Sequence, residues 1–282
     1  MASIGGSSLL RGYLSMFRLG NCVMAAVATL LSAVICSDPE VVFDRASDVA
    51  LSMVIVFVFI AGGNSLNDYF DRDLDRAAHP SRPIPNGVVR ARSALALAVA
   101  MLGVATAMGW LVGMLSFAIV GSSLAIMLSY ELLLKPEGLV GNMAISWLTA
   151  ALFLFGGAAV DGMQLAWILA ALAFLVSLGR EIVKDVQDIG GDTETRITLP
   201  MRVGPRNAGA VASVAIAAAV VLSPAPYLLS LVSAWYVPFL AVADTLFIYS
   251  AMIHFADPEQ GQKAIKLAMI VALIAFLFGG IT

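Results

Sequence analysis

Charged residues are scarce in this sequence, and their scarcity excludes most classes of protein. Only 12% of the 282 residues are charged, whereas 60% are hydrophobic and the mean hydropathy is +0.93. A chain with so few charges cannot cover a soluble surface with polar groups. This composition is typical of proteins that cross a membrane several times, so the sequence predicts a polytopic membrane protein rather than a soluble enzyme.

Cysteine and histidine are almost absent as well, with two residues of each type. Cys22 and Cys36 both lie in the first apolar segment, which disfavours a structural disulfide, and two cysteines alone do not form a metal site. His79 is expected to be a loop residue and His254 to lie at a membrane interface. With so few nitrogen and sulfur ligands, any metal site is expected to use oxygen ligands, which disfavours zinc.

Long apolar segments predict the fold. Nine of them are long enough to cross a bilayer, for which about 19 residues are needed. They lie at residues 19–36, 49–66, 94–112, 114–130, 139–160, 164–182, 208–226, 229–255 and 264–281. The predicted fold class is therefore all-α, with nine transmembrane helices around a central apolar cavity. Residues 9–17 are expected to form a short amphipathic helix along the membrane surface.

The basic residues are distributed unevenly between the two sides of the membrane. With nine spans, 15 of the 16 Lys and Arg residues fall on the side of the N-terminus, and only Arg45 falls on the other. Cytoplasmic loops carry an excess of Lys and Arg. The sequence therefore predicts a multi-pass cell-membrane protein whose N-terminus faces the cytoplasm.

Two identical triplets of aspartates stand out against this apolar background. Each triplet has the spacing D-x2-D-x3-D, and the second follows the first at an offset of 117 residues. The two triplets are Asp68, Asp71 and Asp75, and Asp185, Asp188 and Asp192. Four spans separate them, so both are expected at the cytoplasmic side. The constant offset predicts a single domain over residues 1–282, with repeated halves at about 10–135 and 136–255 and a final helix at 264–281.

The spacing places each triplet on one face of a helix. Positions i, i+3 and i+7 lie within about 60° of arc, and Asn64 and Glu181 extend the two faces. Converging carboxylates repel one another unless cations lie between them. An oxygen-only ligand set suits Mg²⁺, Mn²⁺ or Ca²⁺, and Mg²⁺ commonly combines a few carboxylates with substrate phosphates.

Basic residues surround both acidic clusters. They include Arg72, Arg76, Arg82, Arg180 and Lys184. Basic side chains do not help to hold a bare cation, but they bind the oxygens of a diphosphate that a cation carries. The mixture of acids and bases therefore predicts a metal–diphosphate site.

Two stretches resemble the motifs of a known family. The stretch N-D-Y-F-D-R-D-L-D-R, followed by R-P-I-P, resembles the N-D-x2-D-x3-D motif of the UbiA superfamily of intramembrane prenyltransferases. The stretch G-R-E-I-V-K-D-V-Q-D-I-G-G-D resembles that family's second motif, D-x3-D. Together with T-L-P, this second stretch is most similar to archaeal geranylgeranylglyceryl phosphate geranylgeranyltransferases. The first stretch is similar to chlorophyll synthases as well.

The resemblance implies roles for the polar residues. It implies two Mg²⁺ ions, with the ligands Asn67 and Asp71 for one and Asp188 and Asp192 for the other. Further ligands or catalytic carboxylates would be Asp68, Asp75 and Asp185. The residues that bind diphosphate or the prenyl chain would be Asn21, Asn64, Arg72, Arg82, Tyr130, Lys135, Arg180 and Lys184. Tyr130 and Lys135 have the spacing Y-x4-K, one residue more than the Y-x3-K of the family.

The reaction that the resemblance implies is Mg²⁺-dependent transfer of a geranylgeranyl group from its diphosphate to the hydroxyl of geranylgeranylglyceryl phosphate. The products would be an ether lipid precursor and diphosphate. The partners are then an isoprenyl diphosphate, a lipid or aromatic acceptor and membrane lipids, but no nucleic acid.

Other functions stay open at this point. The acceptor could instead be 4-hydroxybenzoate, another quinone precursor or a chlorophyll-type acid. A divalent cation transporter would also use carboxylates in repeated halves, although it would place them near the middle of the membrane. A membrane phosphotransferase would need only one acidic motif. Asp244, inside the eighth span, is either a functional acid or a group that bridges two helices.

Overall fold

The computed structural model describes residues 6–189 and 197–280, and these residues form helices and their connections, without a strand. In the first half the helices are α1 (Gly6–Phe17), α2 (Leu19–Ile35), α3 (Pro39–Asp44), α4 (Ala46–Phe70), α5 (Arg72–Ala78), α6 (Ala91–Val112) and α7 (Met114–Ser129). In the second half they are α8 (Leu139–Ala159), α9 (Met163–Gln187), α10 (Leu199–Val203), α11 (Pro205–Leu222), α12 (Ala225–Leu228), α13 (Tyr236–Ile253) and α14 (Pro258–Gly279). A π-helical turn, Tyr130–Leu134, follows α7.

Helix length and composition agree with the predicted membrane class. Within the described residues, eight helical segments are long and apolar enough to cross a membrane. A ninth is formed when Ser8–Phe17 and Leu19–Ile35 are taken as one span, bent by 43°. The all-α polytopic fold is therefore confirmed. The bend separates the predicted surface helix from the first crossing helix.

Several helix boundaries differ from the sequence prediction; α9, for example, continues to Gln187 and does not end at residue 182. The segment expected to end at residue 66 continues as α4 to Phe70, one turn further. The segment expected at 229–255 begins as a helix only at Tyr236. Before it, α11 ends at Leu222, because Pro224 cannot donate the hydrogen bond that would continue a helix.

The order in which the helices pack recurs in the two halves. In the first half α2 packs on α4, α4 on α6 and α6 on α7. In the second half α8 packs on α9, α9 on α11 and α11 on α13. Contacts between α2 and α8 join the halves, and α14 packs against α13 and α9. The repeated halves themselves stay a prediction.

Two glycines at the repeat offset make equivalent close contacts. Gly62 on α4 faces α6, where an added Cβ would lie 3.3 Å from the Ala98 carbonyl oxygen. Gly179, 117 residues later on α9, faces α11, where an added Cβ would lie 3.2 Å from the Ala212 carbonyl oxygen. Small residues allow membrane helices to approach closely. A glycine thus allows close helix packing in each of the two helices, α4 and α9, that lead to an aspartate triplet.

The one basic residue expected on the non-cytoplasmic side has acidic partners there. Arg45 Nη2 lies 2.5 Å from Asp161 Oδ2, and Arg45 Nη1 lies 3.5 Å from Asp48 Oδ2. The ion pair with Asp161 joins the start of α4 to the end of α8. A structural role of this kind accounts for the single exception to the charge distribution.

Asp244 and His254 both lie in the packed second half. Asp244 accepts a hydrogen bond of 2.8 Å from Ser223, which connects α13 to the end of α11. This contact matches the helix-bridging interpretation of Asp244. His254, expected at a membrane interface, lies at the end of α13 and is only 1% exposed, with its ring nitrogen Nε2 2.9 Å from the Ser213 hydroxyl. Burial lowers the pKa of His254 below its ordinary value.

Candidate active site

The first aspartate triplet lies at the end of α4 and in α5. The regular helix ends at Phe70, and Asp71 adopts a ψ of −2°. Helical backbone hydrogen bonds nevertheless continue through Asp71. The Asp71 N–H donates to the Asn67 carbonyl oxygen at 2.9 Å, and the Asp75 N–H donates to the Asp71 carbonyl oxygen at 2.8 Å. The triplet therefore follows a nearly continuous helical path, as its spacing predicted.

Arginines neutralise the two buried aspartates of this triplet. Asp68 is 4% exposed and accepts a hydrogen bond of 2.6 Å from Arg18 Nη2. Asp75 is 5% exposed and accepts one of 2.6 Å from Arg82 Nη1, which also lies 3.8 Å from Asp68. Arg18 was not among the predicted site residues. Its signal was a basic residue at the start of the first apolar segment, and its φ of +52° marks the break between α1 and α2.

The π-helical turn brings Lys135 to the third aspartate. Lys135 Nζ lies 2.5 Å from Asp71 Oδ1. In the backbone, the Lys135 amide donates to the Tyr130 carbonyl at 2.9 Å, a five-residue step instead of the usual four. The extra residue in the Y-x4-K spacing is thus absorbed by the wider turn. Tyr130 is buried at the start of this turn.

Glu131 is a second residue that the sequence analysis did not select. Its side chain is 5% exposed, and its Oε1 accepts a hydrogen bond of 3.0 Å from the Asn67 amide nitrogen. Its Oε2 lies 3.4 Å from Lys135 Nζ. Because Nδ2 of Asn67 is held by Glu131, the amide oxygen of Asn67 is the atom that points away from Glu131. That oxygen is the one that could coordinate a cation.

The second triplet has a different environment at the end of α9. Asp185 is 5% exposed and accepts a hydrogen bond of 2.8 Å from Asn142, a residue that the sequence analysis also missed. Asp188 follows the last residue of α9 and is exposed. Asp192 lies outside the described residues. This cluster therefore has one buried and one exposed carboxylate within the described part of the chain.

The segment from Tyr130 to Asn142 connects the two clusters. Its π-helical turn supplies Glu131 and Lys135 to the first cluster, and its last residue supplies the amide that holds Asp185. Gly141 allows the turn and α8 to approach, because an added Cβ would lie 2.9 Å from the Leu134 carbonyl oxygen. One short connection thus contacts residues of both triplets.

The other predicted site residues make local contacts. Arg72 donates to the Tyr69 carbonyl at 2.7 Å and stacks 4.4 Å above the Tyr69 ring, while Arg180 lies 2.5 Å from Glu181. Asn64 donates to the Phe17 carbonyl at 2.8 Å and so holds α1 against α4. Exposed side chains are found at Asn21, Lys184 and His79. Of the predicted basic residues, Arg82 and Lys135 form ion pairs with aspartates of the first triplet.

The donor atoms fit a cation that shares its ligands with a substrate. Asn67, Asp71 and Asp188 offer only oxygen, which suits Mg²⁺. Among the residues that the structure describes, no group of three or more His, Cys, Asp or Glu side chains could by itself hold a metal ion. Magnesium sites commonly combine one or two carboxylates with substrate phosphates, so this donor set is compatible with such a site.

An apolar cavity lies on the same face of α4 as Asn67. It is enclosed by α4, α7 and α8, and Ser123 is the one polar side chain in its lining. Ile60 and Val56 in its wall precede Asn67 by seven and eleven residues, which is about two and three helical turns. The cavity is therefore aligned with the first cluster along the axis of α4. A second apolar cavity lies between α9, α11, α13 and α14.

The sequence profile of the UbiA prenyltransferase family matches residues 23–277, which is most of the chain. This protein belongs to the UbiA prenyltransferase family. The expected family and the expected enzyme class, a prenyltransferase, are thereby confirmed. The helical architecture and its membrane class agree with those of UbiA proteins.

Relatives that match over the whole chain indicate a subfamily within the UbiA family. The digeranylgeranylglyceryl phosphate synthase of Methanothermobacter thermautotrophicus is 36% identical over 273 residues, which cover 95% of both chains. A solved structure of a digeranylgeranylglyceryl phosphate synthase matches with a TM-score of 0.86 at 32% identity, over 97% of this chain and 99% of that one. This UbiA protein therefore most resembles the subfamily that its second motif indicated.

A more distant structure shares the fold. A UbiA homologue from Archaeoglobus fulgidus, bound to DMAPP and Mg²⁺, matches with a TM-score of 0.61 at 18% identity. The match covers 94% of this chain and 97% of that one. At this identity the similarity concerns the fold alone.

Proposed function

We propose that this UbiA enzyme transfers a geranylgeranyl group from its diphosphate to the glycerol hydroxyl of geranylgeranylglyceryl phosphate, in a reaction that depends on Mg²⁺. The observation that carries the proposal is the first cluster, where Asp71 and Asn67 lie beside Lys135. Carboxylate and amide oxygens suit a cation, and an ammonium group suits a phosphate. The whole-chain similarity to digeranylgeranylglyceryl phosphate synthases supports the choice of acceptor.

The residues of the two clusters would have different roles in the reaction. Asn67, Asp71, Asp188 and Asp192 are the proposed ligands of two Mg²⁺ ions. Bound Mg²⁺ would supply the Lewis acid that neutralises the diphosphate as it leaves. Lys135 would bind diphosphate oxygens directly. Arg18 and Arg82 hold the buried Asp68 and Asp75 in place, which fixes the end of α4 before any ligand binds.

The bond changes follow from the chemistry of an allylic diphosphate. The bond between C1 and the diphosphate oxygen breaks, and its electron pair leaves with the diphosphate. The glycerol oxygen of the acceptor forms the new bond to C1, and its proton passes to the released diphosphate or to solvent. The products are an ether and diphosphate. An apolar site that excludes water protects the developing cation from hydrolysis.

The cavity between α4, α7 and α8 is the proposed place for the prenyl chain. It lies on the same face as the proposed ligands Asn67 and Asp71, and its walls are apolar apart from Ser123. Gly63 lies on α4 between the cavity lining and Asn67, and it packs against Met127 of the lining, because an added Cβ on Gly63 would lie 2.6 Å from Met127 Cε. Diphosphate at the end of α4 would then extend its chain past Gly63 into the cavity.

Substitution of Gly63 tests this placement. Gly63→Ala would push the tip of Met127 toward the cavity, and we expect a higher KM for geranylgeranyl diphosphate. Binding of pyrophosphate, which has no chain, should stay unchanged. An unchanged KM, measured in a Gly63→Ala protein that remains folded, would contradict the placement of the chain.

The acceptor is tested with purified protein in lipid nanodiscs. Labelled geranylgeranyl diphosphate and Mg²⁺ are supplied with either geranylgeranylglyceryl phosphate or 4-hydroxybenzoate. We expect ether product and diphosphate only with the glycerol lipid, and no product after chelation of Mg²⁺. Prenylation of 4-hydroxybenzoate in place of the lipid would contradict the proposed acceptor. Uptake of Mg²⁺ into sealed vesicles without any product would indicate a transporter.

The site is proposed to face the cytoplasm. Fifteen of the 16 basic residues lie on the side of the aspartate triplets when nine spans are counted. Labelling of a single cysteine introduced at exposed His79 in a variant without the native cysteines checks this orientation. We expect a membrane-impermeant maleimide to label it in inside-out vesicles and not in intact cells.

A further inference from the structure

Lys135 occupies a position that brings it into competition with a cation. Its ammonium group lies 2.5 Å from Asp71 Oδ1, and both side chains are only about one-fifth exposed, at 22% and 21%. Asp71 is also a proposed ligand of Mg²⁺. Two cations at one partly buried carboxylate repel each other more strongly than they would in water. Binding of free Mg²⁺ at Asp71 therefore requires Lys135 to move away or to remain nearby at a cost.

Glu131 keeps Lys135 close to the site when it moves. Its Oε2 lies 3.4 Å from Lys135 Nζ, and its Oε1 holds the Asn67 amide at 3.0 Å. Lys135 has a flexible stem and three donor hydrogens, so it can exchange one acceptor for another. Glu131 thus contacts both a proposed ligand of the cation and the group that competes with the cation.

A free anion is disfavoured at the same place. A diphosphate that approaches Lys135 without a metal ion also meets Asp71 and the 5% exposed Glu131. Like charges in a partly buried site disfavour each other. When the cation and the diphosphate bind together, the diphosphate can accept the hydrogen bonds of Lys135 while the cation coordinates Asp71. Each ligand thereby removes the charge that disfavours binding of the other.

We propose that the Lys135–Glu131 pair makes the site selective for Mg²⁺ and diphosphate together over either ion alone. This inference rests on the proposed function, because it concerns the same diphosphate site. Lys135 acts as the counter-ion of Asp71 until diphosphate accepts its hydrogen bonds. Glu131 is a positioning residue that orients the Asn67 oxygen and retains Lys135. Binding of the two ligands is then positively coupled, and by linkage each raises the affinity for the other by the same factor.

Calorimetry on the full-length protein in nanodiscs tests this coupling without turnover. The probes are MgCl₂ alone, inorganic pyrophosphate alone, and each in the presence of the other. For the wild type we expect weak binding of either probe alone and a coupling within the range of about 5- to 150-fold. Lys135→Met keeps an unbranched stem but removes the charge. In this variant Mg²⁺ alone should bind several-fold more tightly, and the coupling should shrink.

Two further variants separate this effect from loss of structure. Glu131→Gln removes a negative charge and should weaken the binding of Mg²⁺ alone, which is a change of the opposite sign. Lys263→Met removes a matched ion pair, since Lys263 lies 2.7 Å from Glu259 on the exposed start of α14, and it should change neither affinity. Thermal unfolding verifies that each variant is folded.

The possible results distinguish failure of the coupling from failure of the function. If Lys135→Met binds Mg²⁺ alone no more tightly than the wild type, the exchange at Asp71 is overturned, whatever the activity. If the wild type binds Mg²⁺ and pyrophosphate tightly but independently, the selectivity is overturned and the proposed reaction stands. If no form of the protein binds pyrophosphate with Mg²⁺, both the inference and the proposed function are overturned.

Discussion

The two aspartate clusters have the same spacing in the sequence but different environments in the fold. In the first, each aspartate lies within 2.6 Å of a basic side chain. In the second, Asp185 accepts a hydrogen bond from the amide of Asn142, and the exposed Asp188 has no ion-pair partner within the described ranges. Identical motifs therefore do not produce identical sites.

The difference comes from elements other than the helices that carry the triplets. The partners of the first triplet come from the break between α1 and α2, the loop after α5 and the π-helical turn, and these supply Arg18, Arg82 and Lys135. The amide that holds Asp185 comes from the first turn of α8. Each aspartate of the first triplet consequently has a basic partner before ligands bind, whereas Asp188 is exposed to solvent.

The largest expected effect is loss of turnover when either proposed ligand is removed. We expect Asp71→Ala and Asp188→Ala each to lower kcat by at least about 10²–10³-fold, since each removes charge stabilisation from the leaving group. Geranylgeranyl transfer to geranylgeranylglyceryl phosphate, assayed in saturating Mg²⁺, measures the effect.

The environments of these two aspartates predict different side effects. Asp71→Ala leaves Lys135 without its main partner, whereas Asp188 is exposed and its replacement disturbs no ion pair in the described structure. A change in the unfolding temperature is therefore expected for Asp71→Ala alone. Full activity in either variant would refute the model of two metal-binding clusters.

The sequence predicted the clusters much better than it predicted their partners. The spacing of Asp68, Asp71 and Asp75 identified the helix face, because a regular helix converts sequence spacing directly into angle. The motifs identified the family for the same reason. Arg18 and Glu131 were missed, because contacts between residues 50 and 64 positions apart depend on how helices pack. No local pattern encodes such contacts.

Other differences have equally specific causes. Asn142 gives no signal in the sequence, since a single amide in an apolar helix is common, and only packing of α8 on α9 brings it to Asp185. The Y-x4-K spacing appeared to depart from the family until the π-helical turn accounted for the extra residue. Gly62 and Gly179 are also 117 residues apart, but only the structure shows that each lets its helix approach a carbonyl group of a neighbouring helix.

A smaller effect is expected when a buried ion pair of the first cluster is broken. Arg18→Met leaves Asp68 buried, with Arg82 3.8 Å away as its remaining cation. Loss of one hydrogen-bond partner of a buried polar group costs about 1–3 kcal/mol. A lower temperature of thermal unfolding in nanodiscs would report this cost, and Asp68→Asn in the same protein should recover part of it.

An exposed pair of the second half provides the control for Arg18. Arg202 lies 3.1 Å from Glu137, and both side chains are about half exposed. Such surface pairs contribute about 0–1 kcal/mol, so Arg202→Met should leave the unfolding temperature nearly unchanged. An equal decrease in Arg18→Met and Arg202→Met would show that the first cluster is not specially dependent on its buried charges.

The smallest expected effect concerns the π-helical turn, which supplies Lys135 to the first cluster. Deletion of Leu133 restores the spacing Y-x3-K and allows an ordinary α-helical turn, in which Lys135 stays one turn from Tyr130. Leu133 is exposed, so its loss removes no buried contact. We therefore expect turnover to remain within a few-fold of the wild type.

A deletion within regular helix gives the contrasting result for this turn. Removal of Leu124 from α7 would rotate Tyr130 and Glu131 by about 100° relative to α4, because neither residue lies beyond the π-helical turn that could absorb the change. Turnover and the coupling between Mg²⁺ and pyrophosphate should then both be lost. Similar losses for the two deletions would mean that the π-helical turn is itself required, and that the position of Lys135 over Tyr130 does not explain the extra residue.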